Sequence, residues 1–227
     1  MSDISQRDSL AEQLRTVPVF AGLDDDTLAR IARSAIWRAY APGEMVFLEG
    51  DAGSGLHYLA YGWLKAVRSS LEGREQVLRF IGPGETFNEI GAFTSHPNPA
   101  TAIALENAGI WLLDRQALVQ LLRTHPDLAQ RLLENMANRV VELANLIADL
   151  SLRTVTGRLA RLLLDEATGD VFPLPRWRTQ TELAGRLGTV ADVVQRALRT
   201  LQSEGAIDVQ RSEIRICSRE RLLSHAA

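Results

Sequence analysis

Residues 179–203 read TQTELAGRLGTVADVVQRALRTLQS, two amphipathic segments on either side of one glycine. No other stretch constrains the chain as strongly. Thr179 and Glu182 form T-x-x-E, in which the hydroxyl caps the backbone N–H three residues on and the carboxylate reaches back. A helix should therefore start near Gln180. Leu183, Ala184 and Leu187 share one face, and the small Ala184 lets two helices cross closely. Gly188 suits a turn that needs positive φ. A second helix is expected from about Val190, with Val193, Val194, Ala197, Leu198 and Leu201 recurring at inward spacing. This is the pattern of a helix-turn-helix, whose second helix enters the DNA major groove.

The other face of the second segment carries Ala191, Asp192, Gln195, Arg196 and Arg199. Arginine bonds guanine or phosphate, glutamine bonds adenine, and a carboxylate accepts from cytosine. With Thr179 and Thr189 these are the candidate DNA contacts. An ordinary helical hairpin with a solvated face would show the same periodicity. The residues downstream separate the two readings. Ile207–Gln210 and Glu213–Ile216 alternate around Arg211-Ser212, the signature of a two-stranded wing.

The chain has 227 residues, 46% of them hydrophobic, which is room for two modest cores. No apolar run approaches a membrane span, and MSDISQRDSLAEQL lacks the order of a signal peptide, so a cytoplasmic protein is expected. Cys217 is the single cysteine, which leaves no disulfide framework and no cysteine-held iron–sulfur cluster within one chain. It is expected as a half-buried residue of the wing. The net charge of −3 is unevenly spread: from Val155 onward there are 11 Lys+Arg against 9 Asp+Glu, or +2, against −5 for the rest. Only a locally basic surface is needed to meet phosphates.

Along the chain, residues 1 to about 35 read as helical, with Asp24 to Asp26 capping a segment that holds Leu28, Ile31 and Ala32 at helical spacing. From Ile36 to about Leu113, short alternating or apolar runs are broken by Gly and Pro turns, the pattern of a sandwich or jelly roll. Trp37, Trp63 and Trp111 are expected within its strands, filling the core. His125-Pro126-Asp127 then opens a long helix. Leu133, Met136, Val140, Leu143, Ile147 and Leu150 follow at alternating threes and fours, an a/d seam that predicts a homodimer interface. A helix lying on its own domain would give a similar stripe. A break is expected near Ser151 to Thr154. The architecture expected is α+β: an N-terminal jelly roll with flanking helices over 1–125, a dimerisation helix and hinge over 126–153, and a winged helix-turn-helix over 154–227.

That order resembles the CRP/FNR family of bacterial transcription regulators over almost the whole chain. The marks are Gly43-Glu44, the Gly50 to Gly62 strand-loop-strand unit, Asn88-Glu89-Ile90-Gly91-Ala92-Phe93 and Val155-Thr156-Gly157-Arg158. The resemblance implies a dimer on a two-fold-related DNA site, an effector pocket in the roll, and contacts to RNA polymerase in the regions of Glu72, Glu75 and Asp165-Glu166. It places the pocket at Asn88, Glu89, Ile90, Pro99, Ala100 and Thr101, with Leu143 and Ala144 on the long helix. In the cyclic-nucleotide branch, a Gly-Glu pair and an Arg-Ser pair hold ribose and phosphate, and a Thr-Ser pair meets the base. Here Glu89 is kept, but Asn88 replaces the glycine, Pro99-Ala100 stands where Arg-Ser should, and Leu143-Ala144 where Thr-Ser should. No arginine lies between Phe80 and Trp111 to neutralise a buried phosphate. cAMP and cGMP are therefore not expected. Haem with a gas, an organic acid or aromatic, a redox change, or no ligand remain open. Haem needs an axial ligand, and His96 in the loop His96-Pro97-Asn98-Pro99 is the candidate.

The recognition segment departs from the cAMP branch as well. Arg-Glu-x-x-x-Arg there becomes Ala191-Asp192-x-x-x-Arg196 here, which removes one guanine contact. An enzyme built on the roll would need closely spaced histidines and a carboxylate for a metal, whereas His57 and His96 stand alone. No enzyme is expected. A regulator acting by protein contact, with little DNA binding, is the other alternative.

Overall fold

The structure, a computed structural model, describes residues 3–226, with side chains from Leu10 to Ala226. Met1, Ser2 and Ala227, at the outer ends of the expected domains, lie outside the described residues. The chain forms two compact units, Met1–Arg68 with Arg79–Val141, and Ser69–Leu78 with Glu142–Ala227. The division does not follow the expected borders at 125 and 153. It falls inside the long helix, because that one helix supplies Leu128 and Leu132 to the first core and Leu146 and Leu150 to packing in the second unit.

The first unit begins with α1 (Asp3–Thr16) and, after a 3₁₀ turn at Pro18–Phe20, α2 (Asp25–Ser34). Asp24 caps α2, accepting from the Thr27 amide at 2.8 Å, a contact worth about 1 kcal/mol. Eight strands follow: β1 (Ile36–Tyr40), β2 (Met45–Phe47), β3 (Gly55–Tyr61), β4 (Leu64–Ser69), β5 (Glu75–Ile81), β6 (Thr86–Phe87), β7 (Thr101–Ala104) and β8 (Ala108–Asp114). They form two four-stranded sheets, β1-β8-β3-β6 and β2-β7-β4-β5. A short α3 (Glu89–Phe93) sits between β6 and β7, and α4 (Arg115–Thr124) leads into α5 (Pro126–Leu152).

β3 has no polar face because both of its faces are covered. Leu56 and Tyr58 join Phe20, Leu28 and Ile31 of the helical layer, while Leu59 joins Leu64, Ile81, Phe87 and Ile110 inside the roll. Each such fully buried side chain contributes roughly 1.5–3 kcal/mol. Trp111 is buried and packs on the half-buried Trp37, ring centroids 4.9 Å apart. Trp63 lies not in a strand but in the β3–β4 turn, where its ring lies over Gly82.

The second unit contains α6 (Val155–Glu166), β9 (Val171–Pro173), α7 (Gln180–Leu187), α8 (Ala191–Ser203), β10 (Ile207–Val209), β11 (Glu213–Ile216) and α9 (Arg219–Ala226). α5 stops at Leu152, and the Thr154 hydroxyl caps α6 by accepting from the Gly157 amide at 3.1 Å. Leu159, Leu163, Phe172, Val194, Leu201 and Ile214 are fully buried in its core. The wing sheet has three strands in the order β10-β11-β9. β9 escapes a pattern search because it is three residues long and ends in Pro173. Cys217 lies just past β11 and is exposed, not half-buried, because the strand ends before it. Among the described residues no helix is long and apolar enough to cross a membrane.

Candidate nucleic-acid interface and sensor segment

The Thr179 hydroxyl accepts from the Glu182 amide at 3.3 Å and so caps α7. The Thr179 amide donates to the Trp177 carbonyl at 2.9 Å. α7 ends at Gly188, whose φ of +63° is the left-handed turn that a side chain would strain. A Cβ there would also meet Leu150 at 2.6 Å. α8 then starts at Ala191, and its N-cap, Val190, offers no side-chain cap. The Val190 carbonyl instead accepts from the amides of Val193 and Val194, at 3.0 and 3.2 Å. Val194, Ala197, Leu198 and Leu201 are buried, while Val193 is only half-buried.

The opposite stripe, Asp192, Gln195, Arg196 and Arg199, is exposed, and Thr179 is exposed beside it in sequence at the start of α7. Ala191 and Thr189 are half-buried at the turn. No carboxylate pairs with Arg196 or Arg199 among the described residues, whereas Arg161, Arg178, Arg215 and Arg219 are each paired. The α8 stripe thus carries two exposed guanidinium groups without a carboxylate partner among the described residues. Two further exposed arginines were not among the candidates: Arg176 ahead of α7 and Arg211 at the wing turn. The turn position of Arg211 between two alternating strands was the signal that pointed to it.

The segment before α7 is anchored by Arg178, which is 8% exposed. Its Nη2 donates to Glu166 Oε2 at 2.9 Å, its Nη1 donates to the Pro173 carbonyl, and the guanidinium lies 4.6 Å from the Phe172 ring centre and 5.0 Å from that of Trp177. Burial pulls its pKa down, and the Glu166 charge opposes that. Glu166 and Asp165, which the resemblance placed in a polymerase-contacting region, are thus tied to Arg178 and Arg161. Glu72 pairs with Arg74 at 3.2 Å.

In the first unit, Asn88 has φ +66° and ψ +38°, the only positive-φ residue other than glycine among the described residues. Asparagine tolerates this region better than other side chains, which explains how it replaces a glycine here. Its Oδ1 accepts from the Gly91 amide at 3.3 Å, while Nδ2 is buried with no partner. Glu89 Oε1 accepts from Asn135 Nδ2 of α5 at 3.0 Å and from the Thr86 hydroxyl at 3.5 Å. Glu85 lies between Arg79 and Arg139. Ile90 and Pro99 are exposed, Thr101 is half-buried and donates nothing to Glu89, and Ala100 is buried. Leu143 and Ala144 belong to the second unit and are exposed on α5.

His96 is exposed, its amide bonded to the Thr94 hydroxyl. The loop does not enclose it, because Pro97 and Pro99 are exposed on either side of the buried Asn98. The buried histidine is His57, 5% exposed, with Phe47 and Phe87 at ring-centre distances of 5.5 and 5.0 Å. Burial lowers its pKa to about 4. Along α5, Leu133, Val140, Leu143 and Ile147 are exposed, and Met136 is half-buried. Leu150 of the same seam is half-buried instead against the Gly188 turn.

Residues 37–125 match a cyclic nucleotide-binding domain model, and residues 157–224 match a Crp-like helix-turn-helix domain model. The chain is 32% identical over 191 residues to the cyclic AMP receptor protein of Thermus thermophilus, covering 84% of this chain and 88% of that one. It is 28% identical over 221 residues to a CRP-like cAMP-activated global transcriptional regulator of Mycobacterium tuberculosis, covering 95% of this chain and 99% of that one. The structure of FixK2 from Bradyrhizobium japonicum shares the fold, with a TM-score of 0.76 at 21% identity over 85% of this chain and 98% of that chain. This chain belongs to the CRP/FNR family of transcription regulators.

Proposed function

We propose that the protein works as a homodimer that reads a two-fold-related DNA site through α8, under the control of an effector other than a cyclic nucleotide. The observation that carries the DNA reading is the exposed stripe Asp192, Gln195, Arg196 and Arg199, whose two arginines have no carboxylate partner among the described residues. Homodimerisation is supported by the exposed apolar stripe on α5, since Leu133, Val140 and Ile147 are each about two-thirds exposed in the single chain, at 67%, 67% and 64%. Such a stripe is normally covered, and a dimer spaces two recognition helices for two half-sites.

The effector reading follows from the sensor segment. The relatives named above as cAMP-responsive leave that property with themselves. In this chain Pro99-Ala100 supplies no guanidinium for a cyclic phosphate, and Glu89 already accepts from Asn135. The unpartnered Asn88 Nδ2 is the donor left for a different ligand, one that offers a neutral or weakly charged acceptor. Effector binding would shift an existing equilibrium between orientations of the two units. RNA polymerase is the expected further partner, in the regions of Glu72, Glu75 and Asp165-Glu166.

The test is DNA selection with the purified full chain, followed by titration of the selected site with Arg196→Ala. The variant should lose about 1–3 kcal/mol of discrimination, roughly 5–150-fold, while the sedimentation coefficient stays that of the wild type. Unchanged affinity for the selected site would rule out α8 as the reading helix. Added cAMP should leave the wild-type affinity where it was.

A further inference from the structure

We propose that the second unit holds a separate anion site, built by Arg158 and Arg186 and suited to a phosphate-class oxyanion. A cavity of about 70 Å³ lies between the end of α5, α6 and α7, with Asp149, Arg158, Arg161, Asp165, Glu166 and Arg186 among its lining residues. Three carboxylates and three arginines would make a neutral cluster if all of them paired with one another, but only Asp165 and Arg161 do. Asp149 is held by Arg153, Asp165 by Arg161 and Glu166 by Arg178. Among the described residues Arg158 and Arg186 are left without a carboxylate.

Their remaining bonds are few. Arg158 Nη1 donates to the Leu150 carbonyl at 3.3 Å, and Arg186 Nη1 donates to the Leu78 carbonyl at 3.3 Å. Arg158 Nε is buried and has no partner. A buried charged donor left unmet is costly. Two guanidinium forks from two helices match a tetrahedral oxyanion, which can accept from both at once.

Size narrows the ligand further. The cavity is several times what one water needs and well below the roughly 300–1,000 Å³ of a drug-sized pocket. It fits one phosphate-sized group, free or as the end of a phosphomonoester, and not a whole nucleotide. Since α5 and α7 both line it, the anion would fasten the helix-turn-helix to the end of the long helix. The site stands whatever effector the jelly roll takes.

The full chain is titrated by calorimetry and by thermal melting with inorganic phosphate, and separately with glycerol 3-phosphate, against chloride at equal ionic strength and pH. One oxyanion per chain should bind. At ten times the dissociation constant the Tm should rise by roughly 3–6 °C for a chain of this size. Arg186→Gln should abolish the rise, and Arg158→Gln should do the same if it folds. Asp165→Asn, which frees Arg161, should tighten binding. Binding of phosphate alone marks a closed site, and binding of the ester as well marks one open at its mouth. No oxyanion-specific heat, or a Tm rise that survives in Arg186→Gln, would overturn the proposal, since general salting effects act on both proteins alike.

Discussion

Asn135 Nδ2 donates to Glu89 Oε1 at 3.0 Å, joining the long helix to the first turn of α3 across 46 residues of sequence. The bond lies within the first unit and is partly buried, and its acceptor is a carboxylate. Bonds to a charged partner contribute about 1.5–3 kcal/mol. Asn135→Ala should therefore lower the stability of the chain by roughly that amount in urea denaturation with an unchanged slope. Asn135→Gln keeps a donor and should recover part of the loss. If the Ala variant unfolds at the wild-type urea midpoint, the bond holds nothing.

The seam on α5 gives a second prediction. Val140 and Ile147 are exposed by 67% and 64%, and they lie seven residues apart on one stripe. A carboxylate on that stripe would face its own copy across a two-fold axis, where burying unpaired like charges is expensive. Val140→Asp with Ile147→Asp should halve the mass seen by analytical ultracentrifugation, with the helical circular dichroism largely kept. Affinity for a palindromic site should fall at least tenfold, about 1.4 kcal/mol, because linked half-sites gain from effective concentration. A double variant that sediments like the wild type would remove α5 as the interface.

Local patterns carried most of the second unit. Gly188, the Thr179 cap and the apolar spacing of α7 and α8 are each fixed by neighbours within four residues, so periodicity and capping chemistry expose them. What stayed hidden depends on distant partners. Arg178 looks like another basic residue beside a DNA-binding helix, but its charge is used on Glu166, twelve positions earlier, and its face on Phe172 and Trp177. Likewise Leu150 fits the heptad seam by spacing and yet packs at Gly188, because the helix ends two residues later and its last turn meets α7 instead. Nothing local separates His57 from His96, since burial is a property of the folded sheet and not of the residues flanking it. Asn88 is the reverse case: the departure from glycine was visible in sequence, and the left-handed backbone that explains it was not.

His57 supplies the last prediction. Its pKa of about 4 lies below the ordinary 6.5, chiefly because burial disfavours the charged imidazolium. Well above pH 6.5 the side chain is neutral in the folded and unfolded states alike, and it contributes no pH dependence. Between pH 6.5 and about 4 the unfolded chain takes up the proton and the folded chain does not, so stability falls as pH drops. Across that window the loss is on the order of 3 kcal/mol. His57→Phe places a third phenyl beside Phe47 and Phe87 and removes the titrating group. Urea midpoints measured from pH 7.5 to pH 4.5 should fall more steeply for the wild type than for the variant, with the two curves separating below pH 6.5. Parallel curves across that range would mean that His57 is protonated as readily inside the roll as in water.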